Sequence, residues 1–418
     1  MKYHGFVHTA SIPHLLCAVA LWLGGCGSDD SRGGAGDGSR GDGLDSGTSL
    51  NGGDDTAMGT GGSSDSADRP CADKELLTDP AVNALSILLP GTDQLNSVLT
   101  LTDTHVYWVD NDSGVKADLG GTSNAVMRVA KTGGEVEQVF AAPADQQLMQ
   151  VVAAGEKIYA LYKAQNGLDI GTFLGEVDGS ADRLNPLNSA HSRGWDSLLT
   201  GLGPFHDGSI WLSTSDDQDN DDREGRIVRI DPATGEETVV YENPINPASF
   251  TDLVDVPGWA GFWQEDIYFT ANAGFDGLWK APADGGGPAS VVLESFSAMP
   301  SYFKLGGGFV VSGMNGVIKQ ELTEAAMLDL AATQIFDSRT ILDSRIVRVL
   351  AADDQSVIVA DGDKTPRPAY EVAIDGSEAR DVICDGIRYD SLQGDATHWY
   401  WIDGDLSEGP RTIARAPR

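Results

Sequence analysis

Residues 215–225 read SDDQDNDDREG, the chain's sharpest run of oxygen ligands. Asp217, Asp219 and Asp221 alternate, with Glu224 behind them. Hard carboxylate oxygens at this spacing suit calcium, which takes six to eight oxygen ligands. The run is not an EF-hand loop. Counted from Asp217, the sixth position is Asp222 where that loop needs Gly, and the twelfth is Val228 where it needs Glu. A solvated acidic loop is the commoner use of such residues. The metal reading therefore stops at a calcium site on Asp217, Asp219, Asp221 and Glu224, and no other cofactor is expected.

Searches for other chemistry come back empty. There is no G-x-S-x-G elbow, no phosphate loop ending in Gly-Lys-Ser/Thr and no H-E-x-x-H pair. A general base at His191 would need a partner that the sequence does not show. No catalytic residue is assigned, and the balance lies against an enzyme.

Of 418 residues, 28 are Lys or Arg and 63 are Asp or Glu, a net charge of −35. Such a chain lacks the basic face that nucleic acid requires. It favours solubility and cationic or divalent partners.

The first 25 residues hold one charge, Lys2, and a short apolar run, LLCAVALWL (15–23). Nine residues cannot cross a hydrocarbon core that needs about 20 as a helix, so residues 1–25 read as a signal segment. Its removal takes one cation from 28, leaving 27 − 63 = −36. Residues 27–70 contain no aromatic residue and consist mostly of Gly, Ser and Asp. They cannot bury enough apolar surface to offset the entropy of ordering. As a flexible coil the segment would reach about 35–40 Å. Residues 26–71 thus form a tether and 72–418 the folded domain.

LGGC (23–26) follows the apolar run directly. It resembles the lipobox of bacterial lipoproteins, with Leu23 three positions before the cut, Gly24 and Gly25 small, and Cys26 after it. The resemblance implies that Cys26 carries the lipid, and Gly27 behind it leans towards the outer membrane. The expected location is a lipid-anchored place in the bacterial envelope. Of four cysteines, Cys17 would leave with the signal and Cys26 would take lipid. Cys71 and Cys384 remain, expected to pair in an oxidising compartment.

Beyond residue 72, short apolar strands alternate with Gly/Asp turns, and helical periodicity is almost absent. HVYWVD (105–110) recurs as KIYALY (157–162), SIWLST (209–214), DIYFTA (266–271), GFVVSG (308–313), SVIVAD (356–361) and HWYWID (398–403). The starts lie 52, 52, 57, 42, 48 and 42 residues apart, a period expected of propeller blades. Each copy has an apolar strand before it. After it come a polar loop, a strand often carrying a basic residue, a tight turn such as TGGE (132–135), and a last strand. The expectation is an all-β, seven-bladed propeller, with six or eight blades as alternatives. Blade five is the weakest, because LTEAAMLDLAA (322–332) looks helical where a turn belongs. The seventh copy lacks its outer strand, and KELLTD (74–79) supplies one, lying beside 412–417 to close the ring. A Cys71–Cys384 disulfide would pin that closure.

The Tyr-Trp-x-Asp core of 107–110 and 400–403 resembles the YWTD repeat of receptor propellers, and the whole pattern resembles NHL-like propellers of bacterial lipoproteins. In such a ring the loops after the copies share one face, which would be acidic. They hold Asp110, Asp216, Asp276, Asp361 and Asp403 among others. His105, His206 and His398 would be turn residues on the opposite face. Trp259 and Trp263 are less regular and could reach a pocket. The functional expectation is a membrane-anchored binding or scaffold module for a protein or other envelope ligand. The alternative is a propeller hydrolase or lyase acting on a surface polysaccharide or peptide.

Overall fold

The computed structural model describes residues 74–78, 99–111, 124–164, 171–187, 201–216, 224–242, 258–272, 276–294, 304–306, 309–313, 316–321, 333–337, 347–361, 368–383, 391–403 and 412–418. The chain divides into two compact units, Met1–Ser64 and Asp65–Arg418, and every described residue belongs to the second. Among the described residues, every element is a β-strand.

β1 (Glu75–Leu76) comes first in the chain. The first sheet then runs β2 (Leu99–Leu101), β3 (His105–Asn111), β4 (Asn124–Ala130), β5 (Glu137–Ala141). Next stand β6 (Gln146–Ala154), β7 (Lys157–Ala164) and β8 (Gly171–Glu176), a sheet of three. The third sheet takes β9 (Gly201–His206), β10 (Ser209–Asp216), β11 (Glu224–Ile230) and β12 (Glu237–Glu242). The fourth takes β13 (Gly258–Trp263), β14 (Asp266–Asn272), β15 (Asp276–Pro282) and β16 (Ser290–Glu294). The fifth takes β17 (Lys304–Gly306), β18 (Phe309–Gly313), β19 (Gly316–Glu321) and β20 (Thr333–Asp337). The sixth takes β21 (Val347–Ala352), β22 (Ser356–Asp361), β23 (Ala369–Ala373) and β24 (Ala379–Ile383). The last contains β25 (Gln393–Gly394), β26 (His398–Asp403) and β27 (Thr412–Pro417), and β1 completes it. All pairings are antiparallel, and each copy found in the sequence is the second strand of its sheet.

The fold is an all-β propeller, but the expected count of seven blades needs correcting. Six blades have four strands, and the sheet built on KIYALY has three. The reason is local. After β8 the chain turns at Asp178–Ser180 and runs back along the sheet edge, but Pro186 has no N–H to give to a ladder. One backbone bond forms there, from the Leu187 N–H to the Leu174 carbonyl at 2.7 Å. The chain lies so close to Gly175 that a Cβ there would sit 2.8 Å from the Asn185 carbonyl oxygen. Leu184, 1% exposed, plugs the edge. Gln146 holds it from the inner strand, donating to the Leu184 carbonyl at 2.7 Å and accepting from its N–H at 2.9 Å. The segment 322–332 lies outside the described residues.

Packing follows the copies. The second strands are flanked by sheets on both faces, so the middles of β3 and β26 are apolar and buried: Val106, Trp108, Val109, Tyr400, Trp401 and Ile402 are at most 4% exposed. Clusters of such residues bridge neighbouring sheets. One joins Ile358 and Ala360 to Trp399 and Trp401, and the next joins Tyr400, Ile402 and Ile413 to Leu99, Val106 and Trp108.

That last cluster is the closure. β1 pairs with β27, Glu75 opposite Arg415 and Leu76 opposite Ala414. The Leu77 N–H donates to the Ile413 carbonyl at 2.8 Å, and the Ile413 N–H to Thr78 Oγ1 at 3.0 Å. Glycines of the turns that follow the third strands set the spacing of the sheets. A Cβ on Gly133 would meet Leu77 at 3.7 Å, one on Gly179 the Val139 carbonyl at 3.0 Å, and one on Gly285 the Val239 carbonyl at 3.3 Å. In each case the turn of one sheet lies on the outermost strand of the sheet before it. β1 therefore occupies the outer place of the last sheet by packing as well as by pairing. The φ values of Gly133 and Gly285, +79° and +76°, exclude a side chain without strain.

Candidate functional site

The register places one charged residue in every sheet at the same point. Facing the third residue of each second strand across the ladder stand Arg128, Glu176, Arg229, Lys280, Lys319, Glu371 and Arg415. Most of those with described side chains are neutralised by a strand neighbour. Arg128 Nε donates to Glu137 at 2.8 Å, Arg415 Nε to Glu75 at 2.8 Å, and Lys280 to Asp266 at 2.7 Å. Lys157 pairs with Glu176 at 3.0 Å. Glu371 accepts from Arg380 and from the Ser356 hydroxyl, the latter at 2.7 Å. Arg229 and Arg415 also reach forward to a carbonyl of the next sheet's turn, Ala283 and Lys131 respectively.

Three residues beyond two of these charges sits a second cation that closes a seam. Lys131 crosses to Asp395 of the preceding sheet at 2.8 Å, and Arg418 crosses to Asp353. The two carboxylates are built alike, because each caps the tight turn between the first and second strands. Asp353 Oδ1 accepts the N–H groups of Gln355 and Ser356, and Asp395 Oδ1 those of Thr397 and His398. The other oxygen is left pointing at the cation. Burial pushes the Asp395 carboxyl up, but the Lys131 ammonium and the Thr397 and His398 amides outweigh it and hold it well below the usual carboxylate range. The Tyr400 phenol donates to the same carboxylate at 3.1 Å. Burial, then the charge of Asp395, pushes that phenol up to about 12. Lys131 lies over the Tyr400 ring, 5.4 Å from its centroid, and Arg418 over Trp399 at 4.2 Å. Between the sixth and last sheets this face opens into a cleft of about 700 Å³. Asp353, Asp354, Glu371, Glu378, Arg380 and Arg418 line it.

His105 and His398 stand where expected, opening β3 and β26. Each ring nitrogen Nδ1 lies against the preceding threonine hydroxyl, at 2.7 and 2.8 Å, and each ring tilts towards the tyrosine two residues on. His206 differs from the expected turn position: it ends β9, and its ring stacks on Phe262 at 3.8 Å. Trp259 and Trp263 both belong to β13, and Trp263 packs against Tyr268 with ring centroids 6.3 Å apart.

The opposite face carries the acidic positions. Asp110, Asp216, Asp361 and Asp403 fall at or beside the last residue of a second strand, and Glu224 and Asp276 open third strands. Asp216 and Glu224, which flank 217–223 in the sequence, are cross-strand partners. Asp403 takes Lys74 at 3.1 Å and the Trp401 indole N–H at 3.2 Å. Asp217, Asp219 and Asp221 lie outside the described residues, as do Cys26, Cys71, Cys384 and His191. Asp216, Glu224, Asp276 and Asp361 are placed by their backbones alone.

Two signals in the sequence mark the seams. The basic residues at 131 and 418 stand three places after an arginine in aligned copies. Asp353 and Asp395 each stand three residues before the second strand. Asp178, Asp231, Asp284 and Asp375 each cap their own turn by accepting the amide two residues on, at 2.7–2.9 Å. Part of the chain's acidity is therefore turn chemistry.

No family model matches the sequence, and no curated protein does. Among solved structures the chain resembles a prolyl endopeptidase at 12% identity and a TM-score of 0.51, over 79% of this chain and 47% of that one. It resembles a puromycin-hydrolysing peptidase of Mycobacterium tuberculosis at 12% identity and 0.48, over 81% and 52%. TolB of Acinetobacter baumannii is similar at 7% identity and 0.39, over 66% and 80%. The chain spans about half the length of the two peptidases. These likenesses concern the propeller fold.

Proposed function

We propose that this chain is a lipid-anchored binding module of a bacterial envelope, most readily the outer membrane. Cys26 carries the lipid, residues 27–70 space the ring from the bilayer, and the loops after the second strands dock a protein or another ligand bearing positive charge. The observation that carries this reading is the acidic rim. Strand ends and starts in three sheets bring Asp216, Glu224, Asp276 and Asp361 to one edge of a closed ring, while Asp110 beside them is buried and Asp403 holds Lys74. Carboxylates gathered on a rigid rim attract cationic partners and speed their encounter, with a strength that falls as salt rises. The Asp217–Asp221 run that follows Asp216 in the sequence supports calcium as a bound ion, and Cys71 with Cys384 supports a disulfide.

The test is capture from solubilised envelope extract by the mature chain, compared with a variant carrying Asp216→Lys, Asp276→Lys and Asp361→Lys. The expected outcome is a protein or glycan retained by the native chain at about 0.1 M salt, released at about 1 M, and not retained by the variant. Capture that the reversals leave unchanged, or turnover of an added polysaccharide or peptide, would sink the docking-rim reading. Anchoring is tested separately: Cys26→Ser should move the protein from the detergent phase to the aqueous phase, since a lipidated chain partitions with the acyl groups.

A further inference from the structure

We infer that β1 is a releasable clasp, able to leave β27 while the rest of its sheet stays folded. The clasp is short. The other outer strands span five or six residues, whereas β1 spans two. Its ladder holds Glu75 opposite Arg415 and Leu76 opposite Ala414, extended by the Leu77–Ile413 and Ile413–Thr78 bonds. One large side chain, Leu77 at 3% exposed, is buried by it, while Leu76 beside it is 53% exposed.

Charge completes the hold. Lys74 reaches Asp403 at 3.1 Å and Arg415 reaches Glu75 at 2.5 Å. In these pairs the Glu75 side chain is 55% exposed and Lys74 is 32% exposed. Pairs so open to water are weakened by salt.

What remains after release has its own packing. Trp399, Trp401, Ala414 and Ala416 belong to the cluster shared with the sixth sheet, on the side away from Leu77. β26 and β27 keep a six-residue ladder. Arg415 keeps its bond to the Lys131 carbonyl, and Lys131 keeps Asp395, so the seam to the first sheet retains an ionic tie without β1. Segments with few buried apolar contacts and exposed backbone bonds open below the cost of global unfolding. β1 meets that description within the ring.

Hydrogen exchange read by mass spectrometry on the full chain tests this, with β12 as internal control. β12 has the same kind of cross-strand pair, Arg226 with Glu242, on a strand of six residues. Going from about 0.05 M to about 1 M salt, protection of the Leu77 and Ile413 amides should fall about tenfold while β12 changes less than about twofold. Glu75→Gln should reproduce the loss at low salt. Equal loss in β1 and β12, or β1 protection indifferent to both salt and Glu75→Gln, would overturn the proposal.

Discussion

Asp395 receives hydrogen bonds from the Thr397 amide and hydroxyl, the His398 amide, the Lys131 ammonium and the Tyr400 phenol. All five favour its charged form, so its folded pKa lies below the ordinary carboxylate value of about 3.9. The stability it contributes is present above that value and is lost as pH falls through it towards the folded pKa. Replacement by Asn keeps the shape but loses the charge. Asp395→Asn should lower stability at pH 7 by about 1–2 kcal/mol. It should also flatten the acid limb of a plot of urea midpoint against pH between about 6 and 2. An acid limb as steep as the native one would mean that other carboxylates carry it. Little of this was legible in the sequence. The Asp-x-Thr-His spelling marks a turn, but the lysine that gives the carboxylate its value comes from the far end of the chain, 264 residues away.

At the scale of the element, the second strands were the legible part. A strand buried on both faces must be apolar nearly throughout, so its copies stay recognisable, and their spacing located every sheet. The outer strands touch solvent, tolerate more, and left weaker traces. The incomplete sheet shows the limit. Asn185-Pro186-Leu187 is a stop signal for a ladder, but the period of the copies continues on both sides of it and hides it. In that sheet Gln146 does the work of a strand by holding the Leu184 backbone on both its polar groups. Gln146→Ala leaves the buried Leu184 N–H without a partner and its carbonyl with only the Tyr162 hydroxyl at 3.5 Å, a cost of about 1–3 kcal/mol. Leu184→Ala instead leaves a cavity worth about 2–4 kcal/mol. Both should lower the thermal midpoint. Since the two residues touch, their double variant should cost less than the sum of the singles. Strict additivity would show that the plug and its holder act independently.

The whole molecule carries a net charge of −35, and such a surface repels itself in the folded state. Added salt should therefore raise the global melting temperature by a few degrees, although it loosens the clasp locally. Calorimetry and hydrogen exchange on the same samples would then move in opposite directions. A melting temperature that falls with salt would mean that the ion pairs of the ladders outweigh the repulsion. The acidic rim belongs to this scale too. Composition announced that the chain is acidic, but only strand register shows which carboxylates share an edge and which merely cap turns.

Because β1 completes a sheet begun at the other end of the chain, the sequence repeat and the structural blade are out of step by one strand. A duplication or loss of one whole repeat in the interior would thus still leave the same two termini to meet in a mixed sheet. Inheritance can lengthen or shorten such a ring without inventing a new way to shut it. The joints suited to such edits are the ones where a turn glycine already rests against its neighbour's outermost backbone.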